Sequence, residues 1–182
     1  MKAIKFIFFT AISLFFFISK IVAQGIKTYE TEWKKVDDLI QKKNLPKSAL
    51  VEVNKIYTLA KKEGQDAQVI KALVYKINLQ QETREEAEAA AIKEVEQEIK
   101  VNKEPAASIL KSLLATLYWQ YLQQHRYQLY SRTQTINFKK EDIATWTLED
   151  LHKIISDLFL QSLAPKAALK KVAINAFDAI IV

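Results

Sequence analysis

The fold class is decided by the stretch from Pro46 to Ile77, PKSALVEVNKIYTLAKKEGQDAQVIKALVYKI. Pro46 suits the first position of a helix, where its missing N–H would have no partner. Gly64 suits the left-handed conformation that closes a helix, and Asp66 is a candidate cap for the next one. Apolar residues recur at helical spacing on both sides of this turn, at Ala49, Val53, Ile56, Tyr57 and Ala60 and at Val69, Ile70, Leu73, Val74 and Ile77. The stretch therefore predicts two antiparallel helices joined by a short turn.

The composition extends this prediction to the whole chain. Among 182 residues there are 2 glycines, 3 prolines and no cysteine. A β-rich protein of this length needs many more turn residues, so we expect an all-α fold with few connections. Without disulfides, the fold must be stabilised by packing alone.

Further helices are predicted on both sides of this pair. The segment from Ser131 to Asp142 is predicted to be a long irregular connection, and Thr147 with Asp150 resembles a capping box at the start of a helix. The additional helices are 29–43 with Trp33, Val36, Leu39 and Ile40; about 84–100 with Ala91, Ile92, Val95 and Ile99; 105 to about 130; one carrying Leu148, Leu151, Ile154, Ile155 and Leu158; and one opened by Pro165 with Leu169, Val172, Ala173, Ala176 and Ile180. About seven helices with short turns indicate an array of antiparallel helical hairpins of the tetratricopeptide-like kind.

The first residues, MKAIKFIFFTAISLFFFISKIVAQG, have the layout of a secretory signal peptide. An apolar run from Phe6 to Ile18 follows Lys2 and Lys5, and cleavage is expected near Ala23 or Gln24. The alternative is an uncleaved anchor, but the run is shorter than the ~20 residues that span a bilayer. We therefore divide the chain into a signal peptide, 1–24, and a helical-array domain, 25–182, exported to the periplasm or cell envelope.

The positive charge is modest once the signal segment is set aside. The chain has 27 basic and 21 acidic residues, and Lys2, Lys5 and Lys20 lie in the signal segment, which leaves 24 against 21. This small excess is spread along the chain, so it does not indicate a nucleic-acid partner. Membrane contact is expected only through the signal segment during export.

No catalytic, cofactor or metal site is predicted from the motifs. His125 and His152 are 27 positions apart and outside any metal-binding pattern, so we interpret them as solvated or core histidines. Glutamates are dense in ETREEAEAAAIKEVEQEIK, residues 82–100. Arg84 with Glu88, and Glu96 with Lys100, have the spacing of ion pairs on a solvated helix face. Carboxylate acid–base chemistry is the alternative that we disfavour here.

The aromatic stretch YWQYLQQHRYQLYSRT, from Tyr118 to Thr133, is the main candidate for a functional surface. At 100° per residue, Trp119, Arg126 and Tyr130 share one side of a helix, and the opposite side carries Leu110, Leu114, Leu117, Tyr118, Tyr121 and His125. Large side chains all round predict a central helix buried between two layers. The alternative is a partner-binding platform formed by Trp119, Arg126 and Tyr130.

Three stretches are considered together: EWKKVDDLIQKKNLPKSALVEVNKIYTLAKKEGQDAQVIKALVYK, SLLATLYWQYLQQHRYQLYSRT and DIATWTLEDL. They resemble the N-terminal helical region of large bacterial alpha-2-macroglobulin-like proteins. The similarity runs from about Tyr29 to the end of the chain, and LPKSAL and LYWQY are its more distinctive parts. The family implies an envelope protein that traps proteases with a bait segment, β-sandwich domains and, in many members, a Cys–Gln thioester.

This chain departs from that pattern, since it has no cysteine and no room for the β-domains or a bait region. No functional residue of the family is therefore carried over. The apolar ending NAFDAIIV leads us to expect a helical-array domain truncated at its C-terminal end. We expect a non-enzymatic interaction or spacer region whose partner is the downstream part of the same polypeptide or another envelope protein. The alternatives are a stand-alone scaffold that binds a protein or peptide in a concave groove and, less favoured, a carboxylate-based enzyme.

Overall fold

The computed structural model describes residues 29–81, 87–130 and 142–181, and these ranges are helical, without a strand. The all-α prediction is thus confirmed, whereas the predicted signal peptide and its predicted cleavage near Ala23 or Gln24 lie outside the described residues. The elements are α1 (29–37, continued by a π-helical turn, Asp38–Lys42), α2 (Pro46–Glu63), α3 (Asp66–Gln81), α4 (Ala87–Val101), α5 (Ala106–Tyr130), a 3₁₀ turn (Ile143–Thr145), α6 (Leu148–Leu163), α7 (Lys166–Leu169) and a 3₁₀ segment (Ile174–Ile180).

The connection between α2 and α3 follows the local signals in the sequence. Pro46 is the first residue of α2, and Gly64 closes the helix with a left-handed φ of 64°. The Gln65 N–H donates to the Ala60 carbonyl oxygen at 2.9 Å, which satisfies one of the free carbonyls at the helix end. Asp66, predicted as a cap, is instead the first residue of α3.

Helix α1 packs against both helices of this pair. The Tyr29 hydroxyl donates to Glu63 at 2.8 Å, near the end of α2, and Lys35 pairs with Glu52 at 3.0 Å, closer to its start. The later residue of α1 thus contacts the earlier residue of α2, so the two helices are antiparallel. The Trp33 indole N–H donates to Gln68 at 2.7 Å and ties α1 to the first turn of α3.

Helix α3 separates two hydrophobic clusters. Its residues Val69 and Ala72 belong to the amino-terminal cluster, which we define as Tyr29, Trp33, Val36, Ala49, Val53, Ile56, Ala60, Val69, Ala72 and Leu79. Its residues Ile70, Leu73 and Ile77 belong to the main cluster, which also includes buried side chains of α4, α5 and α6. Since one helix contributes to both clusters, α3 is the shared packing element of the described fold.

Helices α4 and α5 run antiparallel to each other. The Tyr118 hydroxyl donates to Glu96 at 2.9 Å, and His125 Nε2 lies 2.7 Å from the Glu88 carboxylate. The later residue of α5 therefore meets the earlier residue of α4. Helices α4 and α5 are thus the second antiparallel pair, after α1 and α2. The tetratricopeptide-like arrangement of hairpins stays a prediction.

The start of α6 has the capping box that the sequence predicts. The Thr147 hydroxyl accepts from the Asp150 N–H at 3.1 Å, and the Asp150 carboxylate accepts from the Thr147 N–H at 3.0 Å. These two bonds satisfy backbone donors that the first turn leaves free. Leu151, Ile155 and Leu158 of α6 are buried in the main cluster.

The prediction of a long seventh helix after Pro165 is wrong. Helix α7 has four residues and is followed by a turn and a 3₁₀ segment, and the predicted stripe residues Val172, Ala173 and Ala176 are exposed. Val, Ile and Asn are modest helix formers, so local propensity does not hold this region in a regular helix. The segment instead returns towards α3 and packs Phe177 and Ile180 against the main cluster.

Candidate functional site

The rotation of α5 about its axis is set by its buried face. Tyr118 stacks on Trp146 with ring centroids 5.5 Å apart, and its hydroxyl donates to Glu96. Burial raises the pKa of the Tyr118 hydroxyl, as do the charge of Glu96 and their hydrogen bond, so this group stays protonated as a donor. With Tyr118, Leu114 and Leu122 facing the core, the other side of α5 faces solvent.

Trp119, Arg126 and Tyr130 lie together on this solvent-facing side. Trp119 is 45% exposed, Tyr130 is 72% exposed and Arg126 is exposed. At 100° and 1.5 Å per residue, they fall within about 40° of one another and span about 16 Å along the helix. The interpretation of α5 as a central helix covered on all sides is therefore wrong for these three residues, and α3 holds the shared position instead. The binding role of the three stays a prediction.

Neighbouring residues limit the freedom of two of these side chains. Trp119 meets His152 of α6 edge to face, with ring centroids 6.4 Å apart, so one side of the indole is covered. The Arg126 guanidinium donates to the Tyr127 hydroxyl at 2.8 Å and lies 4.7 Å from the centre of that ring. This contact places the positive charge of Arg126 beside the aromatic ring of Tyr127 on the protein surface.

Tyr127 is a surface residue that the sequence analysis missed. It is 76% exposed and lies beside Arg126, about 80° around the helix from Trp119. The sequence analysis divided α5 into two opposite sides and assigned Tyr127 to neither of them. On the helical wheel, Tyr127 lies well away from the buried Tyr118, and this position predicts that Tyr127 is exposed.

His125 joins α5 to α4 rather than facing a ligand. Its ring lies 4.3 Å from that of Tyr121 between centroids, and its Nε2 meets the Glu88 carboxylate. Both His125 and Glu88 are partly exposed at the edge of the helix contact. Within residues 29–81, 87–130 and 142–181, no group of three or more His, Asp or Glu side chains could hold a metal ion.

The glutamates of α4 are not a solvated face, which corrects the sequence interpretation. Glu88 meets His125, Glu94 pairs with Lys76, and Glu96 accepts from Tyr118 instead of pairing with Lys100. Arg84 lies outside the described residues. Each of these contacts joins α4 to another helix, so the carboxylates hold neighbouring helices together.

Glu98 is the most buried of these carboxylates. It accepts hydrogen bonds from Tyr57, from Lys61 at 2.8 Å and from Asn102 at 3.1 Å. Burial by itself raises the pKa of the Glu98 carboxyl, but the hydrogen bonds from Lys61 and Tyr57 and the Lys61 charge outweigh it and lower the pKa. This carboxylate is therefore ionised and engaged between α2 and α4, as expected for a structural link.

One other surface feature lies on α2. A depression of about 480 Å³ lies along the outer side of α2 and is lined by residues from this one helix: Asn54, Lys55, Thr58, Leu59 and Lys62. Having no wall from a second element, it encloses little of a ligand. Among the described helices, none has the length and apolar character needed to cross a membrane.

Comparison of the chain with protein-family models, curated proteins and solved structures found no significant match.

Proposed function

We propose that this chain is a non-enzymatic, exported helical module that binds a protein partner through the exposed face of α5. The observation that carries the proposal is the placement of Trp119, Arg126 and Tyr130 on one solvent-facing side of a helix whose other side forms the core. Trp, Tyr and Arg are the residue types that dominate the energy of protein interfaces. Three of them within about 16 Å suit the centre of a contact patch.

The mechanism of binding follows from the geometry of this face. The Trp119 and Tyr130 rings offer flat apolar area that gains free energy when a partner removes it from water. Arg126, held against the Tyr127 ring, presents donors to a carboxylate or a backbone carbonyl of the partner. Little side-chain entropy is lost on binding, because Trp119 already rests on His152 and Arg126 on Tyr127.

A structural role for the acidic residues supports a non-enzymatic module. Glu98 is used between α2 and α4, Glu94 between α3 and α4, and Glu88 and Glu96 between α4 and α5. An acid–base pair needs carboxylates that converge on a substrate cleft. Here they point to different neighbouring helices, which suits a rigid support for a binding face.

For lineage, we propose the N-terminal helical region of bacterial alpha-2-macroglobulin-like proteins, as an interaction or spacer region without bait or thioester. This rests on the three similar sequence stretches, and the antiparallel contacts of α1 with α2 and of α4 with α5 are compatible with an array of helical hairpins. The partner is then the downstream part of the same polypeptide or another envelope protein. A stand-alone scaffold for a protein or peptide is the alternative, which the same face supports.

Site-specific crosslinking tests the binding face. A photoreactive benzoylphenylalanine is placed at Trp119 or Tyr130 in cells that export the full chain, with Thr58 on the outer side of α2 as the matched exposed control. We expect a discrete protein adduct from positions 119 and 130, none from 58, and a weaker adduct after Arg126→Ala. Equal crosslinking at all three positions, or none at 119 and 130, would refute the binding face.

The identity of the adduct tests the lineage. Macroglobulin-type β-sandwich sequence in the crosslinked peptide, or in the gene beyond the Val182 codon, supports the macroglobulin proposal. Its absence from both, with an adduct to an unrelated envelope protein, favours the stand-alone scaffold.

A further inference from the structure

We infer that a second surface, formed by the end of α6 and the segment after it, binds an anionic lipid surface. We define this lipid-facing surface by its six exposed residues of two kinds. Phe159, Leu160 and Leu163 are apolar and lie on α6, and Lys166, Lys170 and Lys171 follow within eight residues.

The apolar part is large and solvent-facing. Leu160 is 70% exposed and Leu163 is 63% exposed, and with Phe159 they fall within about 100° of arc. Leu160 and Leu163 lie on the side of α6 away from the buried Leu151, and Phe159 lies at the edge of that side. Farther along the chain, Ile174 is 78% exposed. Adjacent exposed apolar side chains of this size mark interaction sites on soluble domains.

The charge pattern identifies the kind of partner. From Leu158 to Phe177 the chain has three lysines and no aspartate or glutamate. The nearest acidic residue before this run, Asp157, lies 3.4 Å from Lys153 and is thereby paired. Asp178 directly follows the run. Apolar side chains beside several lysines, with no acid between them, are the composition of segments that lie in the interface of an anionic bilayer.

The helix itself is divided in the way such a contact requires. Its charged residues Glu149, Asp150, Lys153 and Asp157 all lie in the first ten positions, and its last six residues carry no charge. The charged half therefore stays in water while the uncharged end of α6 and the three lysines that follow it meet the headgroups. The sequence analysis limited membrane contact to the signal segment, and this surface adds a second, peripheral mode.

A fluorescent probe tests the contact locally in the full chain. The natural chain has no cysteine, so Leu163→Cys accepts a single environment-sensitive nitrobenzoxadiazole label, and Thr58→Cys on α2 is the matched control. The probe vesicles contain phosphatidylglycerol with phosphatidylcholine, or phosphatidylcholine alone. We expect a blue shift and a rise in emission at position 163 with the anionic vesicles only, and no change at position 58. Because the probe is local, attachment through the signal segment does not mimic this result.

Neutralising the cations tests the electrostatic part. Changing Lys166, Lys170 and Lys171 together to Gln should abolish the response of the Leu163→Cys probe, and high salt should weaken it, since surface attraction is screened. An equal response to phosphatidylcholine alone, an equal response at position 58, or no response would overturn the inference. A shift that needs no vesicles and grows with protein concentration would also overturn it, since a second copy would then cover the surface.

Discussion

Glu98 shows how a single residue connects helices that are distant in sequence. It is buried where α4 meets α2 and accepts from Tyr57, Lys61 and Asn102. An unpartnered buried polar group costs about 1–3 kcal/mol, so the buried carboxylate stabilises the contact because these three donors satisfy it. The other glutamates of α4, Glu88, Glu94 and Glu96, also contact neighbouring helices.

Removing this carboxylate should be costly. We expect Glu98→Ala to lower the free energy of unfolding by about 2–4 kcal/mol, because Tyr57 and Lys61 lose a buried acceptor. Gln97→Ala, at the adjacent exposed position, should change it by less than about 0.5 kcal/mol. Urea unfolding followed by circular dichroism measures both, and similar values for the two variants would contradict the structural role.

The same residue predicts an acid-dependent effect. The pKa of Glu98 is lower in the folded state than its ordinary value of 4.5, so the unfolded chain takes up the proton first. Its stabilisation is therefore present above about pH 4.5 and is lost as the pH falls through the folded pKa. The stability difference between the natural chain and Glu98→Gln should shrink between about pH 6 and about pH 3. Urea titrations across this range test it, and a constant difference would show that Glu98 does not titrate as proposed.

The helices begin and end where short-range chemistry places them. Pro46 starts α2, Gly64 ends it in a left-handed conformation, and Thr147 with Asp150 caps α6. Each device satisfies or removes backbone groups that a helix end leaves without a partner. Because such signals involve only a few neighbouring residues, they can be recognised in the sequence without knowledge of the fold.

The cap of α6 gives a prediction at this scale. We expect Thr147→Ala to destabilise the protein by about 1 kcal/mol, since the hydroxyl that accepts from the Asp150 N–H is lost. Thr116→Ala is the control, because Thr116 is exposed within α5 and alanine is the better helix former. Thermal unfolding should give a lower Tm for the first variant only, and equal Tm values would contradict the capping role.

Adjacent aromatic residues of α5 give a second prediction. Tyr118→Ala should cost about 3–5 kcal/mol, because the ring is buried against Trp146. Trp119→Ala should cost less than about 1 kcal/mol, because the side chain is 45% exposed and its ring contact with His152 is T-shaped rather than stacked. Chemical unfolding measures the two costs. A large loss for Trp119→Ala would show that this side of α5 is core and would remove the basis of the proposed binding face.

At the scale of the whole molecule, α3 determines how the two clusters cooperate. Its Val69 and Ala72 pack in the amino-terminal cluster, while Leu73 and Ile77 pack in the main cluster. Phe177 and Ile180 near the end of the chain also pack against the main cluster. Loss of either cluster exposes one side of the helix on which the other depends.

This shared helix predicts one cooperative unfolding transition. Trp33 lies in the amino-terminal cluster and Trp146 in the main cluster, so each reports on one of them. Two variants carry Trp119→Phe, and one of them retains only Trp33 while the other retains only Trp146. In each variant, the tryptophan fluorescence and the helical circular dichroism should give the same free energy of unfolding. Fluorescence and circular dichroism transitions that separate within either protein would show that the clusters unfold independently.

The amino-acid sequence was sufficient to predict the helical class, the α2–α3 turn, the cap of α6 and most of the core-facing residues. Pro46, Gly64 and the Thr147–Asp150 pair act through their own backbone geometry and hydrogen bonds, which depend on a few neighbouring residues. The sequence also placed Trp119, Arg126 and Tyr130 on one side of α5. It did not determine whether that side is covered, since periodicity describes a helix and not its neighbours.

Which surfaces are covered depends on the packing between helices. It made α3 rather than α5 the shared helix, turned the glutamates of α4 towards other helices, and replaced the predicted seventh helix with a short segment packed near α3. These outcomes depend on contacts between residues dozens of positions apart, such as Tyr57 with Glu98. The free energy of burying side chains against distant neighbours outweighs the small local preferences of a helix end or an exposed face.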